Sequence, residues 1–592
     1  MVNREAFTPL DIVKDIWTHL DLPPAALSSL SLPGLNGAPA HTRPAVRSSF
    51  KIGHLAQSTI ALSALGAAVV HSIRDRSHPF PHPSPSPPSS SSLSSSSSPE
   101  SKSKLKILQR PEIPKITVPL RPAVLEFHCE RLYTLSGNPP ISSWGPIGGL
   151  HPTADGSFVR IHDVFPHLRT GALALLGLSE TCTDRGAVSE RTKLWEAGEL
   201  ETVAVERRGL AVYKLRDFGE WDWGEQARAV GELPVAVRRV GVVPSSSHSS
   251  SSASVVVSAN SPHRTATTDN KVGSGPQKKK RCLSNLRVLE LSRVIAAPVA
   301  GKTLAAHGAD VLWVTSPNLP DLPALDCEFA RGKRSIQLDL SSPSSDPHTS
   351  SSSTSSPTSN SDINTLLSLA RTADVILQSY RPGSLASRVP GLLDAEELGK
   401  ANPGVIIANL SAFGPTGPWK DRRGFDSLVQ TCSGIAVAEA ERWNLNLGKD
   451  ENEKERVVAR QLPCQALDHA AGYLLATGIC AALYHRERDR AEGRSVAAYV
   501  VDVSLAGVGK YLRSLGQFEG REGFEEEDCS VLGREGRMKE EVDEEEAFFE
   551  TRMSAFGEMT FLRHSATVEG FGTGWERMPA RLGKDEPVWL AA

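Results

Sequence analysis

Several kinds of signal are scarce or absent in this sequence. Acidic and basic residues nearly balance, and the net charge of −3 over 592 residues argues against a general nucleic-acid binder. The eight cysteines show no CxxC or other metal-type spacing, which argues against a zinc site or a disulfide framework and fits a reducing compartment. The longest apolar run near the start, residues 60–70, is too short to span a bilayer. We therefore expect no nucleic-acid partner, no membrane partner and no bound metal.

Familiar catalytic signatures are also missing. The sequence contains no Walker loop, no HExxH motif and no GxSxG motif. The turn SRVIAAPVAG lacks the three glycines that let a backbone approach a pyrophosphate, and the strand after it ends in Thr315 without an acidic residue. These absences argue against NAD or FAD binding.

Neither end of the sequence carries an evident targeting segment. The first residues are neither signal-like nor rich in arginine and free of acids, and Leu590-Ala591-Ala592 is not a peroxisomal address. We expect an intracellular protein of the cytoplasm, and leave a mitochondrial or peroxisomal location open.

Low-complexity tracts divide the chain into its domains. Ser-rich stretches near 79–99, 245–276 and 341–361, and an acidic stretch near 520–550, cannot bury enough apolar surface to fold. The predicted organisation is a degenerate first-half segment with a Ser/Pro linker (1–139), a small α+β domain (140–243), a disordered linker (244–284), a large domain with an insertion at 341–361 (285–516), an acidic disordered segment (517–550) and a C-terminal segment (551–592).

The large domain opens with a βαβ pattern. Buried-type strands at 286–291 and 310–314 flank a helix at 298–307, and such a unit predicts a parallel sheet with a right-handed crossover. Further strand patterns follow at 335–340, 373–377, 405–410 and 500–505. The fold class expected is α/β, with a parallel, Rossmann-like large domain and a small α+β domain.

The segment 462–488 carries the residue of greatest interest, Asp468. Apolar residues recur at three- and four-residue spacing after it, which predicts a helix of roughly five turns. The pattern places Asp468 at the N-cap. Aspartate is common at that position, so the helix alone gives this residue an ordinary structural explanation.

A second copy of this helix lies near the N-terminus, at 52–76. When His54 is placed on Asp468, an offset of 414 positions, Ala56 meets Ala470 and His71 meets His485 without a gap. We interpret the match as an internal repeat. Because histidine is a poor cap, the exchange of Asp for His supports a hypothesis of one live site and one retired site. The fold would then consist of two degenerate halves in one chain.

From about residue 286 to 515 the chain resembles the family III CoA-transferases, the CaiB/BaiF group. That group includes formyl-CoA and carnitine CoA-transferases and α-methylacyl-CoA racemase. The motifs that carry the resemblance stand in the family's order: RVLELSRVIAAPVAGKTLAAHGADVLWV, RGKRSIQLDL, ADVILQSYRPGSL, ANPGVIIANLSAFGPTGPWKDRRGFDSLVQTCSGIA and ALDHAAGYLLATGICAALYHRER. Residues 140–243 resemble the family's small domain.

The resemblance implies a reaction and a site. CoA would pass from an acyl-CoA thioester to a small carboxylic acid through a covalent intermediate on Asp468, with no tightly bound cofactor. Backbone N–H groups of Gly148 and Gly149 would hold the oxyanion, although a plain turn explains them equally well. The residues nominated for CoA are Val294, Lys333, Arg334, Arg388, Arg423 and Phe425. Each half lacks a part, so we expect one composite site in a pseudo-dimer that could act as a monomer.

Departures from the family pattern keep two other functions open. Thr315-Ser316-Pro317 and Gln378-Ser379 replace residue types usual at the CoA end, which puts CoA affinity in doubt. The racemase branch typically has a histidine where this chain has Phe425, and a phenyl ring cannot shuttle a proton. Transfer is therefore preferred over racemisation. The long insertions and the retired half leave a non-catalytic scaffold as the remaining alternative.

Overall fold

The structure is a computed structural model, and it describes residues 2–34, 44–76, 113–241, 279–341, 358–445, 456–525 and 547–591. Most of the tracts predicted to be disordered lie outside the described residues. Two of the predicted boundaries are corrected, because the acidic segment 517–550 contains a short helix and the start of a strand, and the insertion 341–361 ends inside a helix.

The described residues form eighteen α-helices. They are α1 (Pro9–His19), α2 (Ile52–Arg76), α3 (Leu120–Glu126), α4 (Cys129–Leu132), α5 (Pro166–Leu175), α6 (Arg185–Thr192), α7 (Ala197–Thr202), α8 (Phe218–Trp223), α9 (Glu225–Ala229), α10 (Ala296–Ala306), α11 (Pro323–Phe329), α12 (Thr358–Ala370), α13 (Ala395–Ala401), α14 (Asp426–Cys432), α15 (Ile435–Asn444), α16 (Ala466–Ala491), α17 (Leu505–Ser514) and α18 (Glu522–Glu525).

The same residues form sixteen strands in four sheets. They are β1 (Leu30–Ser31), β2 (Ile116–Thr117), β3 (Thr134–Leu135), β4 (Gly149–Pro152), β5 (Phe158–Ile161), β6 (Val212–Lys214), β7 (Val235–Val240), β8 (Arg287–Leu291), β9 (Asp310–Thr315), β10 (Arg334–Gln337), β11 (Val375–Gln378), β12 (Ile406–Ser411), β13 (Ala498–Ser504), β14 (Phe549–Ser554), β15 (Gly557–Leu562) and β16 (Thr567–Val568).

The largest sheet has seven strands in the order β10-β9-β8-β11-β12-β13-β7. All neighbours are parallel except β7, which runs antiparallel to β13. The central strands β8, β9, β11 and β12 are mostly apolar and buried, as expected for a parallel sheet with both faces covered. One face packs on α10 and α16, and the other carries a separate apolar cluster that includes α12 and α13. The chain is therefore an α/β protein with a parallel-rich sheet.

Strand β7 corrects the predicted boundary of the small domain. Residues 235–240 were assigned to that domain, but they form the edge of the large sheet. A Cβ on Gly478 of α16 would lie 3.0 Å from a methyl carbon of Val235. The apolar side chains of β7 thus pack against α16. The small domain keeps the sheet β4-β5-β6 and the helices α5 to α9.

The C-terminal strands return to the first half of the chain. Strand β16 pairs with β2, and β15 pairs with β3. The segment 551–592 is therefore not separate, because its strands complete two small sheets that the first half begins.

Helices α2 and α16, which the sequence analysis interprets as a repeat, pack directly on each other in the core. Gly66 of α2 and Cys480 of α16 are equivalent under the offset of 414, and they meet: a Cβ on Gly66 would lie only 2.9 Å from the Cβ of Cys480. Glycine at this point allows the close approach of the two helices. The crossing point therefore falls on equivalent positions of the two copies.

By length and composition alone, the segments Ile52–Asp75 and Ala466–Ala491 could each cross a membrane. Both are longer than the apolar run at 60–70 that the sequence analysis judged too short to do so. Both windows are completely buried inside the protein. Buried core helices satisfy the same criteria, so these segments are weak evidence for a membrane.

Candidate active site

Asp468 lies in the first turn of α16 and is not the cap. The N-cap is Gln465, and the helix runs for 26 residues, which corrects both the predicted cap and the predicted five turns. The helix start is held from another element. The carboxylate of Asp426, the first residue of α14, accepts the backbone N–H groups of Leu467 at 2.8 Å and Asp468 at 3.0 Å. Asp426 thus caps the N-terminus of α16.

The side chain of Asp468 does not cap its own helix. It is 7% exposed, and no hydrogen bond reaches its carboxylate from any residue in the described ranges. Burial raises the pKa of Asp468 well above its ordinary value, and the negative charges of Asp426 and Glu130 raise it further. The N-terminus of α16 does not keep Asp468 ionised, because the N–H groups of Leu467 and Asp468 donate to Asp426 instead.

Asp426 is itself a perturbed carboxyl. Burial raises its pKa to about 6, although the N–H groups of Asp468 and Leu467 and the side chain of Gln430 bond to it and oppose the rise. Two buried carboxyls therefore share one small volume, an arrangement that disfavours ionisation of both at once. Strongly perturbed pairs of this kind are concentrated at functional sites.

A residue of the first half stands on the other side of this turn. The side chain of His469 lies 3.0 Å from a carboxylate oxygen of Glu130 on α4, and both are buried. Although burial opposes it, the charge of His469 holds the pKa of Glu130 down to about 2. This contact links α4 to the residue next to Asp468.

Cys129, Glu130 and His469 also bring three metal-type ligand atoms within 4.8 Å of one another. The Lys302 ammonium lies 3.4 Å from the Cys129 sulfur, and burial raises the pKa of that thiol well above its usual value. A neutral thiol beside a cation is a poor place for a metal ion. The expectation of no metal therefore stands as a prediction.

The small domain packs on the loop that leads to Asp426. The ring of His162 stacks on Phe425 with centroids 3.8 Å apart and planes at 6°. The Tyr213 hydroxyl donates to the carbonyl of Arg423. Because Phe425 precedes the residue that holds Asp468, the structure brings the small domain to this turn, as the composite-site hypothesis requires.

Gly148 and Gly149 have structural explanations of their own. A Cβ on Gly148 would lie 2.3 Å from a carboxylate oxygen of Asp163, and the neighbouring Ile147 N–H donates to that carboxylate. Gly149 has φ +112° and begins β4, paired with Ile161. No hydrogen bond links either glycine to Asp468 among the residues described. A carboxylate beside Gly148 also disfavours an oxyanion there, so we withdraw this assignment in favour of a plain turn.

Val294 stands in a strained turn close to Asp468. Its φ is +73°, a conformation that a β-branched residue rarely adopts and that tends to mark functional sites. The turn leads into α10, whose residue Ala296 approaches α16 so closely that a Cβ on Gly472 would lie 2.5 Å from its carbonyl oxygen. Gly472 is one helical turn beyond Asp468. The Val294 turn therefore lies next to the nucleophile candidate.

Two of the cations nominated for CoA are engaged inside the protein. The Lys333 ammonium is buried, 2.7 Å from a carboxylate oxygen of Glu290 and 2.9 Å from a main-chain carbonyl. The guanidinium of Arg334 binds both carboxylate oxygens of Asp310, at 3.0 and 2.8 Å. Both cations are paired with carboxylates of the same sheet, Glu290 on β8 and Asp310 on β9, and we no longer assign these residues to CoA. Arg388 is exposed on the loop after β11.

Arg423 instead belongs to a group of cations at the border between the two domains. Its guanidinium lies 3.3 Å from a ring nitrogen of His167, and burial together with Arg381 lowers the pKa of Arg423. Arg293, which we had not singled out, lies 4.6 Å above the ring of Phe165. Arg293 immediately precedes the strained Val294, and that adjacency was a signal available in the sequence.

The cleft next to the candidate site is much smaller than a second cleft at the far end of α16. A narrow cleft beside Arg293 and Val294 has a volume near 20 Å³, room for about one water molecule. A much larger cleft of about 660 Å³ lies at the opposite end of α16, next to His485. That end is roughly 25 Å along the helix from Asp468. The large cleft is therefore separate from the candidate site.

The comparisons agree with the resemblance found in the sequence. Residues 283–349 and 355–528 match the model of CoA-transferase family III. This part of the chain is similar to CoA-transferase family III. It contains Asp426, Asp468 and the Val294 turn, whereas the small domain and the first-half helices lie outside the matched residues.

Several curated proteins share the match. A probable fatty acyl-CoA transferase of Mycobacterium tuberculosis, Rv3272, is 32% identical over 237 residues, which are 38% of this chain and 52% of that protein. An acyl-CoA transferase of Gibberella moniliformis is 29% identical over 354 residues, 58% of this chain and 52% of that protein. A succinate–glutarate CoA-transferase of Agrobacterium fabrum is 31% identical, covering 38% of this chain and 53% of its own.

This chain thus spans about half the length of the curated relatives it matches. A crystal structure of Rv3272 superimposes with a TM-score of 0.30 at 30% identity, covering 40% of this chain and 57% of that one.

Proposed function

We propose that the protein is a CoA-transferase that moves CoA from an acyl-CoA to a carboxylic acid, with Asp468 as the nucleophile. The observation that carries the proposal is the state of Asp468. Its carboxyl is buried, accepts no hydrogen bond in the described part of the chain and is not needed to cap its own helix. A scaffold has no use for such a group, because a buried carboxyl without partners costs stability.

The proposed reaction balances with the carboxylate alone. An oxygen of Asp468 attacks the thioester carbonyl carbon, the C–S bond breaks, and a mixed anhydride and CoA thiolate result. The thiolate attacks the aspartyl carbonyl carbon and expels the acyl group as a carboxylate. The acceptor carboxylate then attacks the carbonyl carbon of the aspartyl thioester, which gives a second mixed anhydride and releases the CoA thiolate. The thiolate attacks the acceptor's carbonyl carbon in this anhydride, forms the new acyl-CoA and expels the Asp468 carboxylate. No proton needs to be gained or lost by the enzyme.

The buried site supplies what a weak nucleophile needs. Removal of its water shell leaves the ionised carboxylate of Asp468 poorly solvated, and the bond from its N–H to Asp426 fixes the first turn of α16. The cost is a raised pKa, so the reactive form is depleted as the pH falls. The strained Val294 turn forms the neighbouring wall.

The cationic group at the domain border is the proposed site for the phosphates of CoA. Arg293 and Arg423 of the large domain supply the positive charges near Phe165, and His167 of the small domain lies beside them. Burial and these two arginines lower the pKa of His167, so it joins the group as a neutral ring. Guanidinium groups match phosphate oxygens well. We retain Val294, Arg423 and Phe425 from the sequence assignments and add Arg293. Arg388 remains an untested candidate.

We further infer that the chain is a pseudo-dimer of two diverged halves. Support comes from the contact between equivalent residues Gly66 and Cys480 and from the ion pair of Glu130 with His469. His54, the counterpart of Asp468, is buried with its ring edge toward Phe518 at 6.4 Å. On this reading the first half keeps no nucleophile of its own and contributes the small domain to the single site.

The test is covalent trapping. The full chain is incubated with a panel of acyl-CoAs and then hydroxylamine, and peptides are examined by mass spectrometry for an aspartyl hydroxamate at Asp468. Asp468→Asn should abolish the adduct, while Asp421→Asn, an exposed residue of the loop before α14, should leave it unchanged. If no acyl-CoA gives an adduct although CoA binds, the aspartyl route is wrong.

One observation favours a second candidate, exchange of the proton α to the thioester. His162 brings an imidazole against Phe425, the position where the racemase branch typically has its histidine. However, burial and the nearby Arg160 lower the pKa of His162 to about 3, which makes it a weak base. Incubating the protein with a 2-methylacyl-CoA in D2O distinguishes the two functions. Deuterium incorporation would favour racemisation, and none is expected for a transferase.

A further inference from the structure

Two large apolar side chains are exposed in the small domain. Ile141 is 86% exposed and Trp144 is 46% exposed, on the loop that leads to β4. Exposed apolar groups that adjoin a site often bind a ligand. Neither residue is used in the mechanism above, which concerns only the thioester and CoA.

Trp144 is connected to the nucleophile through a row of rings. Its indole meets His162 edge to face, with centroids 5.5 Å apart, and His162 stacks on Phe425 at 3.8 Å. The next residue after Phe425 is Asp426, whose carboxylate accepts the N–H of Asp468. Trp144 therefore lies at one end of a row of rings that includes Phe425, the residue before the carboxylate that holds the first turn of α16.

The other end of the same row is cationic. Phe425 approaches Phe165 with centroids 6.1 Å apart, and Phe165 lies under the guanidinium of Arg293 at 4.6 Å. Arg423 and His167 meet on that side as well. The row thus has an apolar end at Trp144, its middle at Phe425 beside the nucleophile, and a cationic end at Arg293.

An acyl-CoA has the same polarity, with an acyl group on one side of the thioester and the phosphates on the other. If the thioester lies beside Asp468 and the phosphates lie toward Arg293, the acyl group must point toward Trp144. We propose that Trp144 and Ile141 bind the acyl group and set a preference for extended apolar acyl groups over formyl, oxalyl or other small polar ones. This proposal rests on the proposed function.

The test separates binding from chemistry by using S-alkyl-CoA thioethers, which have no carbonyl to attack. Affinities of the full chain for free CoA and for S-methyl-, S-butyl- and S-hexyl-CoA are measured by calorimetry. Wild-type affinity should rise about tenfold from methyl to hexyl, since each added methylene gains contact with an apolar wall. Trp144→Ala should bind S-hexyl-CoA about tenfold more weakly than wild type, with less than a twofold change for S-methyl-CoA and free CoA.

The matched control is Trp223→Ala. Trp223 lies on α8 of the same domain and is 83% exposed, so it reproduces the loss of an exposed indole away from the row. The proposal requires that this variant keep the wild-type dependence on chain length, and that Trp144→Phe keep most of it.

Each other outcome contradicts the proposal in a recognisable way. If wild type binds every thioether as tightly as it binds CoA, or if Trp144→Ala weakens all ligands equally, the acyl group does not contact Trp144 although CoA binding stands. If neither CoA nor any thioether binds, the proposed function fails and this assignment fails with it.

Discussion

Replacing Asp426 with asparagine removes a buried negative charge and leaves a side chain of nearly the same shape. Asparagine keeps one carbonyl oxygen, which can still accept the N–H groups of Leu467 and Asp468 that the Asp426 carboxylate now accepts. An ordinary cap analysis predicts a loss of about 1 kcal/mol at every pH. The electrostatics of the site predict a different result.

Burial raises the pKa of Asp426 from 3.8 to about 6. A carboxyl whose pKa is higher in the folded state stabilises the fold below its unfolded pKa, and this stability is lost as the pH rises through the folded pKa. A shift of this size corresponds to roughly 3 kcal/mol, lost between about pH 4 and 7. Asparagine cannot ionise, so Asp426→Asn should match wild type within about 1 kcal/mol at pH 4 and be more stable by about 2 kcal/mol at pH 8.

The assay is the difference in thermal midpoint between variant and wild type at several pH values from 4.5 to 8, in the same buffers. Carboxyls away from this pair titrate in both proteins and cancel in the difference. Asp468 does not cancel, because loss of the Asp426 charge removes one cause of its raised pKa, and this change also favours the variant as the pH rises. The difference should grow by several degrees in favour of the variant as the pH rises. A variant that is less stable than wild type at pH 8 would show that Asp426 is an ionised, stabilising cap and would refute the reasoning.

Three further predictions concern activity and packing. Transfer activity should fall with decreasing pH at values well above the usual range for an aspartate, because the pKa of Asp468 is raised and only its ionised form attacks; a pH–rate profile that is flat down to pH 4 would contradict this. Gly66→Ala should lower the thermal midpoint by the equivalent of about 1–3 kcal/mol, since the new Cβ would lie 2.9 Å from Cys480, and the added change Cys480→Gly should recover most of the loss. Arg423→Gln should raise the KM for acyl-CoA about tenfold or more, whereas Arg371→Gln, on an exposed position directly after α12, should change it less than twofold, as steady-state kinetics would show.

The parts of the fold that depend on local pattern were predictable. The βαβ unit of β8, α10 and β9, the helix that carries Asp468 and the match between α2 and α16 all followed from apolar periodicity and from the 414-residue offset. These features were predictable because the period of a strand or helix is written in neighbouring residues.

What could not be predicted depends on contacts between distant residues. Asp426 holds the start of α16 from 42 positions away, so the sequence pointed to Asp468 as its own cap. Lys333 and Arg334 looked like free cations, but their partners Glu290 and Asp310 lie on other strands of the sheet. The sequence shows which residues are charged, but only the fold shows which charged residues pair with each other.

The contact between Gly66 and Cys480 bears on how this protein could have diverged from a symmetric ancestor. In a homodimer, a residue on the two-fold axis faces its own copy, so a small residue can be matched only by the same small residue. Here glycine faces cysteine, a complementary pair that no homodimer can encode. Once the two copies are fused into one chain, a position near the axis no longer has to pack against an identical residue. Each copy of the helix is then free to change alone, including at the position that holds Asp468 in one copy and His54 in the other.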